Sequence, residues 1–209
     1  MRIVLSAIVC LSAVTAFSGC ATTRTKETTM KSGGIATGFV NKIMTVKGKE
    51  RRYVVYVPHD YTPEKAWPLV LFLHGSGERG KDGLLPTEVG IGRAIRLHAD
   101  RFPCLVVIPQ SPDDVWWDKA IEDFETAVAD TEKEYNIDPS REYLTGLSMG
   151  GYGTWMYGAK NPGRFAALAP ICGGGKPDDA PVLAKTPIWA FHGADDKTVP
   201  PEKSREMVE

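Results

Sequence analysis

The sequence predicts an α/β fold, a mostly parallel sheet with helices on both faces. Two observations carry this. Short apolar runs recur along the chain, and segments with apolar residues at helical spacing separate them. The chain has 209 residues, 43% hydrophobic and 24% charged, which is material for one sizeable core.

The elements follow in order. Residues 51–57 are β-branched and aromatic, and Pro58 ends them. Residues 69–73 are continuously apolar, as expected of a strand buried on both faces. A helix is predicted over residues 91–99. Residues 105–108 form a second buried strand, closed by Pro109. The clearest helix spans residues 118–135. Its Ile121, Phe124, Val128 and Tyr135 share one stripe with Ala127 and Thr131. Residues 142–145 lead as a strand into Gly146. A helix should start directly after Ser148 and run to Lys160, before Asn161-Pro162-Gly163. Residues 165–169 and 187–191 read as two further strands.

The N-terminus stands apart from this fold. Arg2 precedes an apolar run over residues 3–17, too short to span a bilayer, and a polar stretch follows. Residues 1–20 therefore read as an export signal. Phe17-Ser18-Gly19-Cys20 resembles a lipoprotein cleavage box, which implies lipidation of Cys20 and a membrane anchor in the cell envelope or periplasm. Residues 21–37 read as a flexible linker, since they lack large apolar side chains apart from Met30 and Ile35. The folded domain is then 38–209. Cys104 and Cys172 sit in apolar surroundings and read as buried free thiols.

The charge balance is 25 Lys+Arg against 26 Asp+Glu, with no basic block, which argues against a nucleic-acid partner. The Cys and His residues lack metal-ligand spacing, so neither metal nor cofactor is expected.

Gly146-Leu147-Ser148-Met149-Gly150 has the pattern Gly-x-Ser-x-Gly between a predicted strand and a predicted helix. A strand-to-helix turn crowds the backbone, so glycines flank a serine lifted out at the helix N-terminus. Helix dipole and free N–H groups favour negative charge there, which makes Ser148 the candidate nucleophile. His74-Gly75-Ser76-Gly77-Glu78-Arg79-Gly80 follows the first buried strand. Its glycines let the backbone approach a bound carbonyl. The oxyanion donors are placed at the N–H groups of Ser76 and Met149. His74 closes a buried strand and is expected to orient the loop. Trp116, Trp117, Glu78 and Arg79 are candidate substrate contacts.

Together with His192-Gly193-Ala194-Asp195-Asp196-Lys197-Thr198-Val199-Pro200, these motifs resemble the α/β-hydrolase superfamily, in its esterase and predicted-peptidase branch. Phospholipase/carboxylesterase and polysaccharide-esterase families are close to that branch, and the resemblance covers residues 53–209. It implies that Asp196 is the triad acid, with adjacent Asp195 as the alternative. It also implies a carboxylic ester as substrate, small or linked to a polysaccharide. A serine peptidase of the prolyl-oligopeptidase type and a non-catalytic surface binding lipoprotein are the other readings.

Triad order in this fold is serine, acid, histidine. His59, His74, His98 and His192 all precede Asp196. The resemblance implies a base beyond one further helix and strand. The stop at Glu209 thus reads as a cut within that helix, with the last strand and helix missing. Without its base, the serine is expected to be inactive or weak.

Overall fold

The computed structural model describes residues 34–208. The export signal, Cys20 and the linker up to residue 33 lie outside the described residues. Among the described residues no helix is long and apolar enough to cross a membrane.

The chain opens with two antiparallel strands, β1 (Gly38–Val46) and β2 (Lys49–Val57). Lys47 (φ 50°) and Gly48 (φ 73°) join them, two left-handed residues as a tight hairpin turn requires. Then follow β3 (Trp67–Leu73), α1 (Gly90–Leu97) and β4 (Leu105–Pro109). The second half holds α2 (Ile121–Glu134), β5 (Ile137–Leu147), α3 (Met149–Lys160), β6 (Ala167–Ile171) and the short helices α4 (Ala180–Leu183) and α5 (Glu202–Arg205).

The six strands form one sheet in the order β1-β2-β4-β3-β5-β6. β4, β3, β5 and β6 pair in parallel, while β2 joins β4 antiparallel. The α/β expectation holds, with an antiparallel hairpin added at one edge.

Alternation along the strands sends side chains to two cores. Val55, Leu71, Leu105, Val107 and Leu144 meet Phe124 and Val128 of α2 and Trp155 and Tyr157 of α3. Val54, Tyr56, Phe72, Val106 and Ile108 meet Ile95 of α1 on the other face. The predicted stripe of α2 is buried at Phe124, Ala127, Val128 and Thr131. Asp123 is buried there too, paired with Arg51 Nε at 2.5 Å.

Two expectations shift. The strand placed at residues 165–169 forms two residues later. Residues 187–191 run beside β6 but make only the isolated bridges Leu168–Ile188 and Ile171–Phe191. Trp189 there stays 71% exposed.

Candidate active site

The glycine–serine turn is built by backbone crowding. Ser148 has φ 53° and ψ −116°, a conformation that L-residues rarely adopt. A Cβ on Gly146 would lie 2.4 Å from the Gly150 carbonyl oxygen. A Cβ on Gly150 would lie 1.9 Å from the carbonyl oxygen of Leu73. Only glycine fits at either position, so the spacing in the sequence is a packing requirement. The Ser148 N–H donates to the Ile171 carbonyl at 2.9 Å, which ties the turn to the end of β6. Among the described residues the Ser148 hydroxyl makes no hydrogen bond.

The loop after β3 is held from below by residues that follow β4. Buried His74 has Nδ1 2.6 Å from the Gly75 carbonyl oxygen, and its Nε2 accepts from the Ser111 N–H at 2.9 Å. Those partners fit a neutral ring with its proton on Nδ1. Burial pushes the His74 pKa down to about 4. Gln110 donates to the Glu78 carbonyl at 3.0 Å and accepts from the Gly83 N–H at 2.6 Å. Arg79 donates to the Ser76 carbonyl at 2.8 Å. Ser76 itself is exposed. Its N–H and that of Met149 have no acceptor among the described residues, so both can serve an oxyanion. One oxygen of Glu78 is enclosed with no partner among the described residues.

The two neighbouring tryptophans part company. Trp117 is buried, donates to the His74 carbonyl at 2.9 Å and meets the His74 ring edge-on. It forms the covered base of the site. Trp116 is half exposed, with its ring 6.3 Å from that of Tyr152.

Asp196 lies on the loop after residues 187–191. Its Oδ1 accepts from the N–H groups of Val199 (3.0 Å) and Thr198 (2.8 Å), and these hold its carboxyl below the usual range. The neighbouring Asp195 is exposed. His192 braces this loop, with Nε2 2.8 Å from the Val199 carbonyl oxygen and Nδ1 2.7 Å from Ser204 Oγ. Ser204 Oγ also donates to the Gly173 carbonyl at 2.9 Å. The Cys172 N–H donates to the Phe191 carbonyl at 2.7 Å.

Cys172 therefore stands between the two halves of the site. Its neighbour Ile171 accepts from the Ser148 N–H, its own N–H donates to Phe191 at the head of the Asp196 loop, and burial pushes its thiol pKa up. Ser148 and Asp196 thus share one edge of the molecule. Cys104 and Cys172 are both free, as expected. Cys172 departs from expectation in being only half-buried and left-handed (φ 42°) at the end of β6.

Sequence reasoning passed over Gln110, Tyr152, Met156 and Ser204. Tyr152 and Met156 could have been found by counting four and eight residues along the helix from Ser148, which returns to the same face. Among the described residues no group of three potential metal ligands occurs.

A parallel sheet that turns sharply at a serine into a helix, with an acid loop on the same edge, defines the α/β-hydrolase class. Comparison with known proteins narrows this. Residues 45–201 match the family described as "Putative esterase", and the chain belongs to that family. A thermostable esterase of known structure is 38% identical with a TM-score of 0.74, over 81% of this chain and 50% of that one. A bifunctional acetylxylan esterase/xylanase of Neocallimastix patriciarum is 29% identical over 75% of this chain and 23% of its own. A probable feruloyl esterase C of Aspergillus terreus is 24% identical over 94% of this chain and 68% of its own. The chain thus spans half the length of the thermostable esterase and under a quarter of the bifunctional enzyme.

Proposed function

We propose that the protein hydrolyses carboxylic esters carried by carbohydrate, through an acyl-enzyme on Ser148. The observation that carries this reading is the strained Ser148, fixed between two irreplaceable glycines with its hydroxyl unengaged. Membership of the esterase family supports the reaction class, and the named acetylxylan and feruloyl relatives support the substrate class.

In this reading a histidine takes the proton from Ser148 Oγ as the oxygen attacks the ester carbonyl carbon. The N–H groups of Met149 and Ser76 hold the resulting oxyanion. Collapse expels the alcohol, which takes its proton from the imidazolium. Water then repeats the sequence on the acyl-enzyme and restores the serine. Asp196 orients the histidine. That base belongs after Asp196 in chain order, and these 209 residues hold none there. His74 and His192 each have both ring nitrogens engaged by protein partners, so neither is free for the task.

The assignment of Trp116, Trp117, Glu78 and Arg79 as substrate contacts belongs to the same proposal. So do the export signal over residues 1–20 and lipidation at Cys20, which would place the protein where polysaccharide esters are met. Incorporation of labelled fatty acid, lost in Cys20→Ala, tests the anchor.

Turnover of p-nitrophenyl acetate tests the chemistry. With a histidine supplied after Asp196 the protein should be active, and without one it should be weak. Ser148→Ala should leave at most about 10³–10⁴-fold catalysis over water. Where a histidine follows Asp196 in the chain, Asp196→Asn should lower kcat by about 10⁴. Equal turnover by Ser148→Ala and its parent, both carrying a histidine after Asp196, would overturn the reading.

A further inference from the structure

Helix α3 is buried on nearly every side. Gly150, Gly151, Gly153, Thr154, Trp155, Tyr157 and Gly158 are all enclosed. One stripe is left open, formed by Tyr152, Met156, Ala159 and Lys160. A helix face meeting water normally carries charged residues. Here three of the four are apolar or aromatic. Half-exposed Trp116 stands over the same stripe, edge-on to Tyr152.

The stripe is the floor of a groove of about 440 Å³. Trp116 forms one wall, and Gly174 and Gly175 form the other. Met149, next to the candidate nucleophile, lines its near end, and Ala159 and Lys160 line its far end. At 1.5 Å rise per residue the floor from Met149 to Lys160 is about 16 Å long. That is far more room than an acetyl group fills. Asp118, Lys176 and Asp179 also line the groove, but its surface is mostly apolar, and a mostly apolar groove leading from the candidate nucleophile's turn is a binding feature.

A second cleft of about 700 Å³ begins at Arg79, on the loop that carries the other oxyanion donor. Glu50, Arg52, Lys81, Asp82 and Asp113 line it, so charged side chains surround it. An ester has two sides, and the two clefts differ as those sides do.

We propose that the groove along α3 holds the acyl side of the substrate, an apolar acyl group of six or more heavy atoms. Met156 and Ala159 set its length limit, and Trp116 and Tyr152 clasp it near the carbonyl. The alcohol side then lies toward the polar cleft. This rests on the ester-hydrolase reading and deepens it.

The test is equilibrium binding, which needs no turnover. The probes are the free acids acetate, butyrate, octanoate and trans-cinnamate, followed by ligand-observed NMR on the 209-residue chain. Octanoate or cinnamate should bind at least tenfold tighter than acetate, and comparison of the two separates a linear from a planar acyl group. Met156→Trp should weaken both by tenfold or more. Ala159→Trp, at the far end, should weaken octanoate by tenfold and butyrate by less than twofold. A general folding defect would lower both acids together and could not produce that split. Equal binding of all four acids, no binding of any, or indifference to both substitutions would overturn the proposal. Ser148→Ala should keep the binding pattern. Retained binding with turnover that ignores Ser148 would sink the hydrolase reading alone.

Discussion

The two halves of the candidate site are held in place by different physics. The serine half is fixed by steric exclusion. Backbone atoms of Leu73, Gly146 and Gly150 pack so closely that a single methyl group has nowhere to go. The acid half is fixed by a few hydrogen bonds on an open loop. A Cβ on Gly193 would meet only Asp196 Cβ, at 4.0 Å. Asp196 is held by two N–H groups, and its loop by the chain His192–Ser204–Gly173. A strained nucleophile needs a surrounding structure that over-determines it. A carboxylate that orients a partner needs direction only, and hydrogen bonds supply that.

The sharpest way to break this comparison is to add one methyl group on each side. Gly150→Ala should cost more than about 4 kcal/mol or prevent folding, because the clash is with backbone that cannot move aside. Gly193→Ala should stay within about 0.5 kcal/mol by urea denaturation. Similar losses at both positions would remove the distinction.

The adjacent tryptophans should separate next. Trp117→Ala should cost about 3–5 kcal/mol, through a cavity under the loop after β3. Trp116→Ala should change stability by no more than about 0.5 kcal/mol. Chemical denaturation of the two variants measures both.

The serine half should also respond to acid in its own way. His74 is neutral in the folded protein down to a pKa of about 4, against about 6.5 for an unfolded histidine. Between those values the unfolded chain binds the extra proton. Stability from this source is therefore intact above pH 6.5 and falls toward pH 4 by about 3 kcal/mol in all. The loss over that window should vanish in His74→Asn, whatever that variant's absolute stability. Asp138, held at about 2 chiefly by its hydrogen bond from Ser140, titrates below the window.

The acid half should also lose stability when its hydrogen bonds are cut, though less than the serine half does. Ser204→Ala removes one link of its hydrogen-bond chain and should cost about 1–2 kcal/mol. Asp196→Asn combined with Ser204→Ala should show coupling in a double-mutant cycle, since Asp196 and the Ser204-bound His192 both hold Val199.

Much of this was legible before any coordinates. The strand at residues 69–73 and the helix from Ser148 to Lys160 appear where the sequence predicts them. The antiparallel pairing of the β1–β2 hairpin was not legible, because the parallel signal comes from the alternation further along. Residues 187–191 have the composition of a strand but pair on one side only, since pairing depends on a neighbour. The pair Trp116 and Trp117 was left undivided for a similar reason. The two residues are chemically identical, and partners far along the chain, the carbonyl of His74 43 positions away and the core around it, select which one turns inward.

The sequence by itself determined whatever rests on contacts within a few residues. The glycine at position 146 is one such feature, because a Cβ there would meet the Gly150 carbonyl four residues on. Tertiary structure decided what rests on partners far along the chain. It gave His74 and His192 their bracing roles, set the Asp196 loop against Gly173, and left one apolar stripe of α3 open. Hydrogen-bond partners and uncovered faces are properties of the assembled layers, and no local pattern of residues encodes them.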